Sequence, residues 1–322
     1  MELNTLLTEN IDLYDGKKMY DEICKKILSN KMILAWIMKG CISEYQDIEI
    51  KDIAAKYIEG DPNVGTINVV TGENIQGLPT EELSINNGKI FYDIRYQAIV
   101  PTPSEDDFIR LIINVEGQNK YNPGYSLVKR GIHYASSTIS GQYGTEFTKS
   151  DYQKIKKVIS IWICRNVPKY LENTITSYDM KENNIIGGVQ EKKENYDLLS
   201  VVMIYLGQAE DEVQSNVLKM LNALFSEEVS ASEKITFLST EFEISATENF
   251  ESEVQIMCNF SQGIEEKGIE KGIEKGIEKG TVASIINVMD NLKLSIEEAI
   301  VAVGVPESER NNYMTTIVGL AK

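Results

Sequence analysis

Apolar positions recur at helical spacing over residues 20–39, where Ile23, Ile27 and Leu28 precede a cluster of Ile33, Leu34, Trp36, Ile37 and Met38. That period predicts a helix, and a second helix is expected over 50–57. Residues 61–88 are rich in Gly, Asn, Pro and Thr, which predicts irregular backbone or short strands. Two strands come next. KIFYDIRYQAIV (89–100) and FIRLIINVEGQ (108–118) flank PTPSEDD, a turn sequence, so an antiparallel hairpin is expected. Leu127, Ile132, Ala135 and Ile139 then mark a helix over 125–140. VISIWIC (158–164) is a continuous, β-branched apolar run, the pattern of a strand covered on both faces.

Beyond Glu191 the pattern turns helical and acidic, with apolar residues at helical intervals in 217–225, 233–243 and 250–260. GIEKGIEKGIEK follows at 268–279, after an imperfect copy at 263–267. A four-residue period lies close to the 3.6 of a helix, so Ile269, Ile273 and Ile277 form a slowly drifting stripe. Each interior glycine costs about 1 kcal/mol relative to alanine. The run is therefore either a solvated linker or a helix stabilised by self-association as a homodimer. SIINVMDNLKL and SIEEAIVAVG predict two short helices, with Ser295 three residues before Glu298 in capping-box spacing. The expected organisation is a core over 1–190, an acidic helical region over 191–262, the repeat over 263–280 and a small helical tail over 281–322.

Charge refines this picture. The chain carries 32 basic and 49 acidic residues, a net charge of −17, yet residues 110–181 hold 11 basic against 5 acidic. Arg110, Lys120, Lys129, Arg130, Lys154, Lys156, Lys157, Arg165 and Lys169 alternate there with tyrosines. This is either a local polyanion-binding surface or a solvated basic face. His133 is the single histidine and the four cysteines are scattered, which excludes a structural zinc site and leaves little room for Ser-His-Asp or Cys-His catalysis. No apolar stretch approaches the roughly 20 residues of a membrane span, and the acidic start predicts a cytoplasmic protein.

Carboxylates are the chemistry that remains. Asp93 is expected on the first hairpin strand, and Glu116 on the second, two residues before Gln118. Strand alternation puts Glu116 and Gln118 on one face, and hairpin pairing brings Asp93 beside them. Two carboxylates converging without a basic partner repel unless a cation joins them. Mg²⁺ (or Mn²⁺) suits such a pair, because it takes one or two carboxylates together with water and phosphate oxygens. The competing reading is a pair of acidic residues on a solvated sheet face.

The order Asp93, then Glu116-Gly117-Gln118, then a helix bearing Arg130 and Tyr134, resembles the PD-(D/E)XK nuclease superfamily. Within it, the chain is similar to the bacterial transposase branch related to the recombination-promoting nucleases. The resemblance is carried by YDEICKKILSNKMILAWIMK (20–39), YDIRY (92–96), LIINVEGQ (111–118), GYSLVKRGIHY (124–134), KVISIWICRNVP (157–168) and MCNFSQGIEEKG (257–268). It implies an α/β, restriction-endonuclease-like mixed sheet flanked by helices, with a C-terminal helical region. It implies metal-dependent DNA cleavage in recombination or transposition, with Asp93 and Glu116 on the metal and Gln118 where the superfamily usually has lysine. Lys129, Arg130 and Tyr134 would contact phosphate. Asp21, which with Lys25 resembles the Asp-x-x-Phe-Lys opening of the related nucleases with Cys24 in the aromatic place, would be a fourth acidic member, or else a carboxylate opposing the helix macrodipole. Because Gln118 supplies no cation, the alternative is a catalytically silent DNA-binding or oligomerising scaffold.

Overall fold

A computed structural model describes residues 13–64, 81–84, 88–91, 93–100, 109–118 and 121–320. Helix α1 (Leu13–Leu28) buries Tyr20, Cys24, Ile27 and Leu28, one stripe of the predicted period. The helix expected over 20–39 is in fact two. Asn30 adopts an extended ψ of 125°, and its side chain accepts the Met32 N–H at 2.9 Å, capping a new helix α2 (Lys31–Cys41). A short segment of helix, Ile50–Asp52 continuing as π-helix Ile53–Tyr57, leads into strand β1 (Ile58–Val64).

The expected strand over 89–100 is also divided. β2 (Glu81–Ser84) and β3 (Gly88–Phe91) form a separate antiparallel ribbon, and β4 (Ile94–Val100) starts afresh after a bend at Asp93. β4 pairs antiparallel with β5 (Ile109–Gln118), the predicted hairpin. Helix α3 (Leu127–Gly141), N-capped by Ser126, carries the chain to β6 (Lys157–Cys164), which lies parallel to β5. β7 (Thr174–Asp179) and β8 (Leu199–Tyr205) complete a six-stranded mixed sheet in the order β1-β4-β5-β6-β8-β7.

The core boundary expected at residue 190 is not present. β8 lies inside the sheet between β6 and β7, and its Val201–Ile204 segment is wholly buried. The acidic residues around it dominate the local composition, but SVVMIY is the same kind of run as VISIWIC. Helices α4 (Asn216–Phe225) and α5 (Ala231–Glu241), with the start of α6 (Glu248–Leu292), join α1 and α2 against one sheet face. Helix α3 covers the other, over Ile112, Trp162, Val201 and Met203. It approaches closely at Gly131, where a Cβ would stand 2.7 Å from Val201 Cγ1 and 2.9 Å from Trp162 Nε1.

α6 runs for 45 residues, about 67 Å, and takes in both the repeat and the segment expected as a separate short helix. Phe250, Val254, Met257 and Phe260 anchor it in the main core, whereas Ile269, Ile273 and Ile277 are 55–62% exposed. Val282 and Ile285 then meet Ala299 and Ile300 of α7 (Ile296–Ala302) and Ile317 of α8 (Arg310–Leu320) in a second small core. α7 opens with the predicted Ser295–Glu298 capping box. Among the described residues, no helix is long and apolar enough to cross a membrane.

Candidate functional site

The hairpin register brings the two carboxylates together. Ile94 faces Val115, so Asp93, one residue earlier, stands opposite Glu116. Asp93 is a bend residue rather than a strand residue. Its backbone N–H donates to Glu116 Oε1 at 3.3 Å, and its Oδ2 accepts the Gly117 N–H at 2.9 Å. The turn out of the β2–β3 ribbon thus hands its polar groups to the end of β5. Gln118 follows on the same face, opposite Cys164 of β6, and is partly buried.

Glu116 is 4% exposed. Burial, reinforced by the neighbouring Asp93 charge, pushes its carboxyl well above the ordinary carboxylate range. Asp93 is also pushed up by burial, but Lys25 opposes that shift. The expectation of a pair without a basic partner therefore needs correction. The Lys25 ammonium lies 3.0 Å from Asp93 Oδ1 and 2.7 Å from Asp21 Oδ2. Burial works against its charge, yet the two carboxylates hold the ammonium well above the usual lysine range. Asp21 is half exposed and reaches the site through Lys25, its i+4 neighbour on α1. In the sequence Lys25 stands out through its spacing from Asp21, which resembles the Asp-x-x-Phe-Lys opening, but nothing there pairs it with Asp93. Its approach to Asp93 depends on packing α1 over the end of β5.

From α3, Arg130 projects toward the same carboxylates and stabilises the charged form of Glu116. Its guanidinium donates to Tyr134 Oη at 2.7 Å and to Tyr125 Oη at 3.0 Å, with its centre 5.3 Å from the Trp162 ring. Such stacking holds the fork in one orientation. Lys129 and His133 are exposed on the outer side of α3, and the His133 ring lies 6.3 Å from that of Tyr134.

The basic stretch is only partly a free cationic surface. Lys157 is paired with Asp197 at 2.8 Å and Glu44 at 3.0 Å, Lys156 with Glu146, and Lys154 with Asp151. Those three lysines line a cleft of about 790 Å³ where β6 begins, so its charge is largely neutralised. Arg165 stacks on Tyr20 and Phe225 and is bound to α1 and α4. Lys129 and Lys169 stay exposed, while the side chains of Arg110 and Lys120 lie outside the described residues. Burial pushes the Cys164 thiol up to about 12, so it is no nucleophile.

Among the described residues, no three His, Cys, Asp or Glu side chains gather as a ready-made metal cage. The donor set that is present, a buried and a part-buried carboxylate both held above their usual range, suits a hard divalent cation completing its shell with water and substrate oxygens. What fold and site define is a mixed α/β protein with a carboxylate pair at the end of its central strands. No family model, no curated protein and no solved structure matches the chain.

Proposed function

We propose that this chain is a Mg²⁺-dependent DNA endonuclease built on a restriction-endonuclease-like sheet, of the PD-(D/E)XK type, serving recombination or transposition. The observation that carries the reading is Glu116, a wholly buried carboxyl set against a second carboxylate, which only a cation makes favourable to ionise. Asp93 and Glu116 would hold the metal, which supplies a polarised phosphate and an activated water. Gln118 orients that water by hydrogen bonding, since its amide both donates and accepts. Arg130, pre-set by Tyr134 and Trp162, grips a phosphate oxygen, and exposed Lys129 adds attraction for the backbone. A cytoplasmic setting suits this substrate.

A homodimer fits the same task, because a two-fold axis presents one site to each strand. The exposed Ile stripe of α6 would meet a second copy. A second reading, a catalytically silent DNA-binding or oligomerising scaffold, is favoured by one feature: Gln118 brings no cation to the reacting phosphate. Incubating supercoiled plasmid with Mg²⁺ separates the two. The nuclease reading requires nicking by the wild type and none by Asp93→Ala, whereas binding without nicking in both supports the scaffold.

A further inference from the structure

We propose that Lys25 is the movable cation of this site: its ammonium holds Asp93 while the metal is absent and passes to the scissile phosphate once Asp93 is engaged by metal. The proposal rests on the nuclease reading and names the residue that replaces the charge missing at Gln118. Asp93 offers two oxygens. Oδ2 is taken by the Gly117 N–H at 2.9 Å, and Oδ1 by Lys25 at 3.0 Å. A divalent cation drawn to Asp93 therefore arrives where an ammonium already neutralises the carboxylate, and the two cations repel.

Lys25 can yield. Its four-carbon stem relocates the ammonium by rotation of single bonds, and Asp21, half exposed at 2.7 Å, keeps it tethered at the site's edge. The other cations are not equivalent. Arg130 is fixed by two tyrosine hydroxyls and the Trp162 ring, and Lys129 points outward from α3. Among the described residues, Lys25 is the cation in direct contact with Asp93. An ammonium released beside a bound phosphodiester is placed to offset the charge that develops on it.

Lys25→Met keeps the apolar stem and removes the charge. Calorimetric titration with Mn²⁺ should show binding at least about tenfold tighter than wild type, the size of a one-unit electrostatic shift. Plasmid nicking with saturating Mg²⁺ should fall at least about tenfold in kcat. Lys25→Arg, which keeps the charge, should retain wild-type Mn²⁺ affinity. If Lys25→Met fails to fold by circular dichroism, Lys25→Gln is measured in its place. Unchanged or weaker Mn²⁺ binding in the neutral variant overturns the proposal, as does tighter binding with undiminished nicking. Failure of the nuclease reading looks different: no variant and no wild type binds Mn²⁺, or the wild type binds it and leaves plasmid intact.

Discussion

Glu116→Gln tests whether the carboxylate pair is held at a cost to the fold. In the unfolded chain this carboxyl ionises near its ordinary 4.5, whereas in the fold burial and Asp93 raise it well above that value. For a raised acid the folded state binds the extra proton between the two values. The contribution of this group to stability is therefore greatest below about pH 4.5 and falls as pH rises through the window, by up to about 1.4 kcal/mol per pH unit. The amide of the variant does not titrate, and its oxygen can still accept the Asp93 N–H that Glu116 accepts at 3.3 Å. In metal-free buffer the variant should match wild type near pH 4.5 and exceed it increasingly as pH rises toward 7, by no more than about 1.4 kcal/mol per pH unit. Urea unfolding reads this through Trp162, which is buried and in register with Glu116. Mg²⁺ should narrow the gap, because it stabilises only the protein that binds it. A gap that is constant from pH 5 to pH 8, or a variant less stable than wild type at pH 7, would refute the reasoning.

Asp93→Asn should gain less stability than Glu116→Gln at pH 7 by thermal melting, because burial raises Asp93 too but its carboxylate is also a partner of the part-buried Lys25; a gain as large as that of Glu116→Gln would deny the ion pair any role. Charge reversal at Lys129 and Arg130 should weaken DNA binding and flatten its salt slope by about two phosphate contacts, measured by fluorescence anisotropy; an unchanged slope would place the nucleic acid elsewhere. Gly131→Ala should cost about 1–3 kcal/mol in urea, since the new methyl collides with Val201 and Trp162. Deleting residues 263–280 removes about five helical turns and preserves the phase of α6, so light scattering should show a dimer fall to monomer while circular dichroism reports an intact core. An unchanged mass would leave the run as a spacer.

Much of the local structure follows from the sequence by itself. The hairpin of β4 and β5, the doubly covered β6, helix α3 and the Ser295 cap all rest on patterns that neighbouring residues set among themselves: period, turn composition and capping chemistry. Asp93, Glu116 and Gln118 share the end of that hairpin for the same reason, since register is a local property once the turn is formed. Where the pattern misled, a local cap or long-range contacts decided. The chain breaks at Asn30, where the side chain caps a new helix, and bends at Asp93, whose carboxylate accepts the Gly117 N–H from the end of β5. β8 is a central strand because β6 and β7 supply both its hydrogen-bonding edges, which no reading of its acidic surroundings provides. Lys25 meets Asp93, 68 positions further along the chain, only when α1 lies over β5, and Lys156 and Lys157 lose their free charge only when Glu146, Glu44 and Asp197 fold against them. A sequence specifies which side chains carry charge, but the energy of that charge depends on what is buried beside it, and burial is a property of the assembled fold.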